Sequence, residues 1–381
     1  MIRVPACARV SRVSRVCPGS PRGCLFTCTG TFRARVRQFG RHPRVFLRVF
    51  LPSMRRLSTA ARTSTGEHVR TLPKRLPKSV ISIQSHVCFG AAGNSAAVFP
   101  MRRLGCDVWP INTVQFSNHT QYGVWEGLTT PTEQIGLLAK GIEAIGGLDR
   151  VNAVLSGYLG TPEQGDQVLD CVTRVKRINP EALYVCDPVM GHPAKGCVVP
   201  AGVRDYHRLK SAKAADVLCP NVLELGILTD MDPRTPSEVL RASRSLLASG
   251  SCRLVLVKHL AHAGLAPKDA FEMLLVSRTD AWHVSTPLLP FTKAPVGVGD
   301  LTSALLTVGL LHGRTLKDAL EHTAAAYFHV MQVTSDADQY ELQLVAAQDG
   351  LVDPPRRFEA RRLPDAGTSL GRAAGDFESR D

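Results

Sequence analysis

From residue 79 onward, short apolar runs rich in β-branched residues alternate with longer segments of helical period. The runs that predict strands are residues 80–83, 108–111, 153–155, 183–186, 217–218 and 254–257. The segments that predict helices are residues 94–104, 131–145, 162–178, 236–248, 301–311 and 316–333. Strands buried on both faces read as continuous apolar runs, and their alternation with helices is typical of parallel sheets. The sequence therefore predicts an α/β fold, doubly wound, with a mostly parallel central sheet and helices on both faces.

Local signals refine this arrangement at four places. Three predicted helices begin at a Thr-Pro pair, whose prolines are Pro131, Pro162 and Pro236. Proline suits the first turn of a helix and threonine is a favourable N-cap residue, so each pair predicts a helix start. Residues 271–276 and 281–284, separated by a turn-like segment, predict an antiparallel pair at one edge of the sheet.

Charge divides the chain near residue 78. Residues 1–78 contain 18 basic residues and one acid, Glu67, whereas residues 79–381 contain 28 basic and 32 acidic residues. A basic protein would ordinarily suggest a nucleic-acid or membrane partner, but here the positive charge belongs to the N-terminal segment alone. We predict a basic extension over residues 1–78, a folded domain over residues 79–362 and a polar tail over residues 363–381. For the domain we expect no nucleic-acid and no membrane partner.

The basic extension has more than one interpretation. It is rich in Arg and Ser and contains no acid before Glu67, which is typical of an organelle transit peptide. Alternatively it is a disordered segment, or upstream sequence with the true start at Met54 or later, or a basic arm that binds nucleic acid. Its longest apolar stretch, residues 45–51, contains Arg48 and is too short to span a membrane.

The eleven cysteines are dispersed along the chain and form no Cys-x-x-Cys pair. Such spacing indicates reduced thiols in an intracellular protein and predicts no zinc site. We therefore expect a cytoplasmic protein, or one of an organelle matrix if residues 1–78 are a transit peptide.

Charged residues stand where three of the predicted strands end. Asp187, Glu224 and Lys258 each come just after a strand run. The carboxyl ends of parallel strands meet at one edge of a sheet, where ligands bind. Two carboxylates there suit Mg²⁺ held through water, and a lysine suits a phosphate. Each acid could equally be a surface or capping residue, and the metal ligands stay undetermined.

The strongest single motif is Pro-Val-Gly-Val-Gly-Asp at residues 295–300, which runs directly into an apolar helix. Gly297, Val298 and Gly299 predict converging backbone amides that, with the helix N-terminus, bind an anion such as a transferring phosphoryl group. Asp300 could then accept the proton of an attacking hydroxyl. The alternative is a tight turn in which Asp300 merely caps the helix.

Other phosphate-binding signatures are missing from the sequence. No Gly-Lys dipeptide occurs, which excludes a Walker-A loop, and there is no Asp-Phe-Gly motif of the protein kinases. The glycines at positions 90 and 93 lack the third glycine of a dinucleotide-binding fingerprint. A nicotinamide enzyme is therefore weakly supported.

Six segments together resemble the pyridoxal kinases of the ribokinase-like superfamily. They are Ile-Gln-Ser-His at 83–86, Gly-Asn-Ser-Ala at 93–96, Asn-Thr-Val-Gln-Phe-Ser-Asn-His-Thr-Gln-Tyr-Gly at 112–123, Ser-Gly-Tyr-Leu-Gly at 156–160, Asp-Pro-Val-Met-Gly-His at 187–192 and the motif at 295–300. The resemblance covers about residues 79–362. It implies a homodimeric kinase that uses ATP and Mg²⁺ to phosphorylate the 5′-hydroxymethyl group of pyridoxal in vitamin B6 salvage, with pyridoxine and pyridoxamine as further candidate substrates.

The resemblance also implies roles for individual residues. The residues implied to contact pyridoxal are Ser85, Thr120, Gln121 and Asp300, the last also as the base. The residues implied to lie on the ATP side are Asp187, Cys219, Glu224, Lys258, Thr286, Pro287, Leu288 and Leu289. The chain departs from the family pattern at Ala91, Cys219 and Thr286, where Thr286 replaces an arginine that would contact the nucleotide.

Three questions stay open at the level of the sequence. The chain could instead be a hydroxymethylpyrimidine kinase or another small-alcohol kinase of the superfamily, with Thr120, Gln121 and Tyr158 deciding the ring. It could also be a catalytically weak homologue that acts as a binding protein. Cys197, in a segment expected to overhang the site, is favoured as a small buried hydrophobe over a thiol that adds to the aldehyde of pyridoxal.

Overall fold

The computed structural model describes residues 76–266 and 269–364, so the predicted extension and tail lie almost wholly outside the described residues. The strands, numbered in chain order, are β1 Ser79–Val87, β2 Asp107–Phe116, β3 Gly127–Thr129, β4 Val151–Ser156, β5 Leu183–Cys186, β6 Gly191–His192, β7 Gly196–Cys197, β8 Val217–Leu218, β9 Leu254–Val257, β10 Ala270–Ser277, β11 Ala281–Pro287 and β12 Arg361–Arg362. The α-helices are α1 Asn94–Arg103, α2 Thr132–Ala144, α3 Pro162–Ile178, α4 Ala201–Tyr206, α5 Ala212–Ala214, α6 Val222–Thr229, α7 Pro236–Ala248, α8 Val298–Leu311, α9 Leu316–Asp336 and α10 Gln348–Val352. None of the helices in these ranges is long and apolar enough to cross a membrane.

Ten of the strands form one sheet, in the order β12-β11-β10-β9-β8-β5-β4-β1-β2-β3. Neighbouring strands pair in parallel along the inner part of the sheet, which consists of β9, β8, β5, β4, β1 and β2. Strand β3 at one edge and strands β10, β11 and β12 at the other pair antiparallel. Strand β1 lies between β2 and β4, so the chain winds outward from β1 in both directions. Beside β1 the strand order therefore reverses, and ligands bind in such sheets at the carboxyl ends of the strands next to this point.

Both faces of the sheet are buried, as the sequence predicted. Successive residues of β1 point to opposite sides, so Ile81 packs with one apolar cluster and Val80 with the other. The cluster around Ile81 includes side chains of α2, α3, α6 and α7. The cluster around Val80 includes side chains of α1, α8 and α9. Packing on this second face fixes α8, whose N-terminus carries the glycine motif.

The predicted strands and the antiparallel pair are confirmed, with β1 and β2 longer than their apolar cores. Four short strands, β3, β6, β7 and β12, were not predicted, because two or three residues show no period. Helix α6 was also missed, since its run Val-Leu-Glu-Leu-Gly-Ile-Leu-Thr has no polar face. A readable signal was the capping box, in which Asn221 and Glu224 exchange hydrogen bonds at the helix start.

Two of the three predicted helix starts are confirmed. The side chains of Thr161 and Thr235 accept hydrogen bonds from backbone amides in the first turns of α3 and α7. The third was wrong in detail, because α2 begins at Thr132 and Pro131 itself occupies the N-cap position. Proline has no side-chain acceptor, so this helix starts without such a cap.

Candidate active site

A cavity of about 390 Å³ opens at the carboxyl edge of the sheet. Among the residues that line it are all six of the motif at 295–300 together with Gln121, Asp187, Glu224 and Lys258. These residues come from five separate places in the sequence and were all predicted to belong to one site. The structure thus brings together the glycine motif and the charged residues at the strand ends. The volume is in the range of pockets that hold small ligands.

The glycine motif forms the start of α8, and Gly297 precedes the first helical residue. Gly297 has a φ of 83°, and a Cβ at this position would lie 2.1 Å from the carbonyl oxygen of Ala91. Only glycine fits both the backbone conformation and this close approach. A Cβ on Gly299 would come 3.1 Å from Nζ of Lys258. The motif therefore places backbone amides, a helix N-terminus and a lysine ammonium beside one another, an arrangement that attracts an anion.

Asp300 does not cap its own helix, so the capping interpretation of this residue was wrong, while its role as a base stays a prediction. In the described structure α8 has no side-chain cap, and Oδ2 of Asp300 instead accepts a hydrogen bond of 2.8 Å from the amide of Gly93. Burial and the negative charge of Asp187 raise the pKa of Asp300 to about 6. A carboxylate whose pKa lies closer to neutrality is a better proton acceptor than an ordinary aspartate.

Asp187, at the end of β5, is fully buried and holds two partners. Its Oδ1 accepts from Nζ of Lys258 at 2.5 Å, and its Oδ2 accepts from Oγ of Ser303 at 2.8 Å. Burial by itself lowers the pKa of Lys258, but Asp187 and Glu224 outweigh it and raise the pKa above the ordinary value. Lys258 is therefore a fixed positive charge in the wall of the cavity. Ser303, one turn after Asp300 on α8, was not predicted.

Glu224 is buried at the start of α6 and accepts hydrogen bonds from backbone amides. Its Oε2 accepts from the amide of Asn221 at 2.8 Å, and its Oε1 accepts from the amide of Met190 at 3.0 Å. Burial raises the pKa of Glu224 to about 7, against the opposing effect of Lys258. The capping role considered for this acid is therefore real, while its carboxylate also lines the cavity.

Magnesium fits this site only through intervening water. Among the residues that the structure describes, no group of three or more His, Cys, Asp or Glu side chains is placed to hold a metal ion. Oε1 of Glu224 accepts a second, longer hydrogen bond from the amide of Gly191 at 3.5 Å, but Oε2 of Glu224 and both carboxylate oxygens of Asp187 each retain a further lone pair. Because Mg²⁺ keeps several of its waters, two cavity-lining carboxylates can hold it in this indirect way.

The residues implied to contact the acceptor, besides Asp300, lie near the end of strand β1 and in the short helical turn after β2. A Cβ on Gly93 would come 2.3 Å from Oγ of Ser85, so Ser85 adjoins the glycine whose amide binds Asp300. Gln121 lines the cavity, and its Oε1 accepts from Nζ of Lys195 at 2.6 Å. Thr120 is exposed in the short helical turn Thr120–Tyr122.

Several residues implied for the ATP side are not among those that line the described cavity. Cys219 is fully buried. Thr286 is also buried and pairs across the sheet with Phe271, which does line the cavity. Pro287 and Leu288 are exposed, and Leu289 packs against the apolar cluster around Val80. The ATP-side roles of these residues stay predictions.

The hairpin of β6 and β7 contributes His192 and Lys195 to the lining of the cavity. Cys197 on β7 is exposed, so the interpretation as a buried hydrophobe was wrong. Two further lining residues were missed, His259 and Phe271, whose rings stack with centroids 4.8 Å apart. Burial lowers the pKa of His259 to about 4, so this ring is uncharged near neutral pH. Its position directly after Lys258 at a strand end was the available signal.

Comparison with known proteins places this site in a family. Residues 90–340, about two thirds of the chain, match the family model described as phosphomethylpyrimidine kinase. The pyridoxal kinase from Leishmania donovani, solved in complex with ADP and pyridoxamine, is 26% identical with a TM-score of 0.69, over 75% of this chain and 100% of that one.

Two further solved structures share the fold at lower identity. The pyridoxal kinase from Entamoeba histolytica is 20% identical with a TM-score of 0.68, over 75% of this chain and 100% of that one. A putative phosphomethylpyrimidine kinase from Bacteroides thetaiotaomicron is 22% identical with a TM-score of 0.67, over 76% and 99%. Together the comparisons confirm the predicted ribokinase-like fold and the predicted relationship to the pyridoxal kinases.

Proposed function

Because the chain belongs to the phosphomethylpyrimidine kinase family, we propose that it transfers the γ-phosphoryl group of ATP to the 5′-hydroxymethyl group of pyridoxal. The product would be pyridoxal 5′-phosphate, with pyridoxine and pyridoxamine as further acceptors. One observation carries the proposal: Asp300, the amides around Gly297 and the side chain of Gln121 line the same cavity. The solved complex of the Leishmania donovani enzyme with ADP and pyridoxamine supports this choice of ligands.

In this proposal the pyridoxal ring lies against Ser85, Thr120 and Gln121, with its hydroxymethyl oxygen facing Asp300. Asp300 accepts the hydroxyl proton as the oxygen bonds to the γ-phosphorus and the bond to ADP breaks. The amides of residues 296–299, the N-terminus of α8 and Lys258 stabilise the negative charge of the transferring group. Bound Mg²⁺, held through water by Asp187 and Glu224, would neutralise charge on the phosphates.

A second candidate acceptor is hydroxymethylpyrimidine. The family model that matches residues 90–340 carries the name of phosphomethylpyrimidine kinase, and one structural neighbour carries it as well. Both acceptors present a primary alcohol on a nitrogen heterocycle, so Asp300 and the amides would serve either one. We propose that the side chains of Thr120, Gln121 and Tyr158 decide between the two rings.

The remaining parts of the proposal concern the protein as a whole. We propose a homodimer in the cytoplasm, or in an organelle matrix if residues 1–78 are a transit peptide, with the kinase domain over residues 79–362. We further propose that Cys219 and residues 286–289 contribute to the ATP side of the site. Thr286 offers one hydroxyl in place of an arginine fork, and this lowers the expected affinity for nucleotide.

The deciding experiment measures ADP release by the full chain with ATP, Mg²⁺ and one acceptor at a time. The acceptors are pyridoxal, pyridoxine, pyridoxamine and hydroxymethylpyrimidine, and the chain without acceptor gives the background rate. The proposal expects the highest kcat/KM with a B6 vitamer. A preference for hydroxymethylpyrimidine would favour the second candidate, and nucleotide binding without turnover of any acceptor would indicate a binding protein.

A further inference from the structure

Glu341, which follows helix α9 in the sequence, joins two distant segments through one carboxylate. Its Oε1 accepts hydrogen bonds from Nε2 of His119 at 2.9 Å and from the hydroxyl of Tyr122 at 2.8 Å. Its Oε2 accepts from the amide of Ala91 at 2.9 Å. Hydrogen bonds to an ionised carboxylate are among the stronger ones in proteins.

The segments that Glu341 joins both belong to the proposed acceptor side of the cavity. His119 and Tyr122 directly flank Thr120 and Gln121 in the sequence, so fixing the outer pair fixes the inner pair. Ala91 is two residues before Gly93, whose amide donates to Asp300. The carbonyl of Ala91 also lies against Gly297, at the start of the glycine motif. One carboxylate therefore links the loop that carries Gln121 to the loop that contacts the base.

The surroundings of Glu341 are shaped to hold this carboxylate. Gly90 has a φ of 88°, and a Cβ there would come 2.2 Å from Oε2 of Glu341, so the loop needs glycine at this point. The rings of His119 and Tyr122 stack with centroids 4.7 Å apart, and the ring of Tyr340 meets both edge-on. Glu341 is only 13% exposed. In such surroundings a hydrogen bond is less weakened by water than on an open surface.

We propose that Glu341 is a positioning residue, which holds the acceptor loop of residues 117–123 in register with the base and thereby sets the affinity for the acceptor alcohol. This inference rests on the proposed kinase function and assigns to that function a residue outside the cavity wall described above. Glu341 contacts neither the glycine motif nor the buried pair of Asp187 and Lys258 directly. Its effect is therefore expected on the acceptor and not on ATP.

Replacement of Glu341 by glutamine tests the proposal with little change of shape. The amide group has one oxygen, so it can accept from His119 and Tyr122 or from Ala91, but its nitrogen donates and cannot serve the other side. We expect the KM for pyridoxal to rise about tenfold or more, the loss of one strong hydrogen bond, while the KM for ATP stays within about twofold. Asp349→Asn is the matched control, since Asp349 pairs with Arg103 on the surface and is 96% exposed at its side chain.

Tyr122→Phe provides a second, milder variant in case Glu341→Gln is poorly folded. It removes one hydrogen bond at a partly exposed ring, and we expect a smaller rise of the KM for pyridoxal in the same direction. An unchanged KM for pyridoxal in both variants would overturn the proposal. An equal rise of the KM values for pyridoxal and ATP would do so as well, since it would indicate a general loss of structure.

Hydrogen exchange separates failure of this inference from failure of the proposed function, because it needs no turnover. In Glu341→Gln the amides of residues 89–93 and 117–123 should exchange faster than in the wild-type chain, and those of β5 and β9 should not. Unchanged exchange in both loops would overturn the positioning role of Glu341. A wild-type chain that phosphorylates no B6 vitamer would instead refute the proposed function. Faster exchange of both loops in Glu341→Gln would still support the positioning role of Glu341.

Discussion

The two sides of the cavity are built in different ways. On the proposed donor side, Asp187 and Lys258 are buried at the ends of β5 and β9, two inner strands separated by β8, and are bonded to each other. Glu224 is bonded to backbone amides. On the proposed acceptor side, Thr120 and Gln121 lie in an exposed loop that Glu341 fastens from far along the chain. The proposed donor side thus consists of buried side chains of the folded core. The proposed acceptor side includes an exposed loop that a single carboxylate holds in place. Acceptor specificity can accordingly change without disturbing the charges that would stabilise phosphoryl transfer.

Asp300 lines the cavity between the proposed donor and acceptor sides. Its replacement tests whether turnover can be lost while ATP binding is kept. We expect Asp300→Asn to lower kcat by about 10²- to 10⁴-fold, the usual loss when a general base is removed. ATP affinity, measured by titration with a fluorescent nucleotide, should stay near the wild-type value. Asp318→Asn, at an exposed acid in the first turn of α9, is the control and should keep full activity. A fully active Asp300→Asn enzyme would remove the base from the scheme.

The pH dependence of kcat should report the same group. Burial and Asp187 hold the pKa of Asp300 at about 6, and only the ionised form can accept a proton. At saturating substrates kcat should therefore fall as the pH drops through about 6, approaching a tenfold loss per pH unit below it. Thermal unfolding measured over the same range separates this loss from unfolding. A kcat that is constant between pH 8 and pH 5 would contradict the assignment.

Two glycines with similar backbone angles test whether the glycine motif does more than form a turn. Gly297 has a φ of 83° and Gly313 a φ of 72°, but only Gly297 lies against a backbone oxygen, while no described atom lies within 4 Å of a Cβ on Gly313. Replacement by alanine should cost each variant about 1–2 kcal/mol of folding free energy for the left-handed conformation. Only Gly297→Ala should also displace the amides, with a loss of kcat of about tenfold or more. Equal kcat values in both variants would show that the glycine motif is merely a turn.

The smallest expected effect is a gain in stability of Asp300→Asn at alkaline pH. The folded pKa of about 6 is raised above the ordinary 3.8, so ionisation of Asp300 costs the folded state free energy at any pH above about 6. This cost declines as the pH falls from 6 towards 3.8 and is absent below it. Asparagine avoids the charge and retains an oxygen for the amide of Gly93, so we expect its Tm to exceed that of the wild type by a few degrees at pH 8. The difference should vanish near pH 4, and a constant difference would contradict this account.

Asp187 and Lys258 could be placed in one site from the sequence because each immediately follows an apolar strand run. Asp187 and Lys258 stand at strand ends, and the topology of parallel sheets brings such positions together without knowledge of the loops. The glycine motif could be predicted from its own local signal, since it runs directly into an apolar helix. The roles of Ser85, Thr120 and Gln121 were inferred only from family resemblance. Ser85 lies in β1 but has a side chain without a charge that would point to a role, and the segment of Thr120 and Gln121 carries no period that places it.

Glu341 shows what the sequence could not provide. Its partner His119 lies 222 residues away, and neither residue stands at the end of a predicted strand. Short hydrogen-bonding contacts between irregular segments depend on the exact path of both, and no local pattern encodes that path. The prediction that Cys197 is buried was wrong for a related reason. The two-residue strands of its hairpin show no alternation from which an inward or outward direction could be read.

The hydrogen bond between Gly93 and Asp300 spans 207 residues of sequence. A chain emerging from the ribosome begins to bury its first strands long before residue 300 is synthesised, and contacts of such separation form late because loop closure must precede them. The proposed base and the amide that binds it therefore come together only after about four fifths of the chain has been synthesised, so the proposed catalytic centre is completed late.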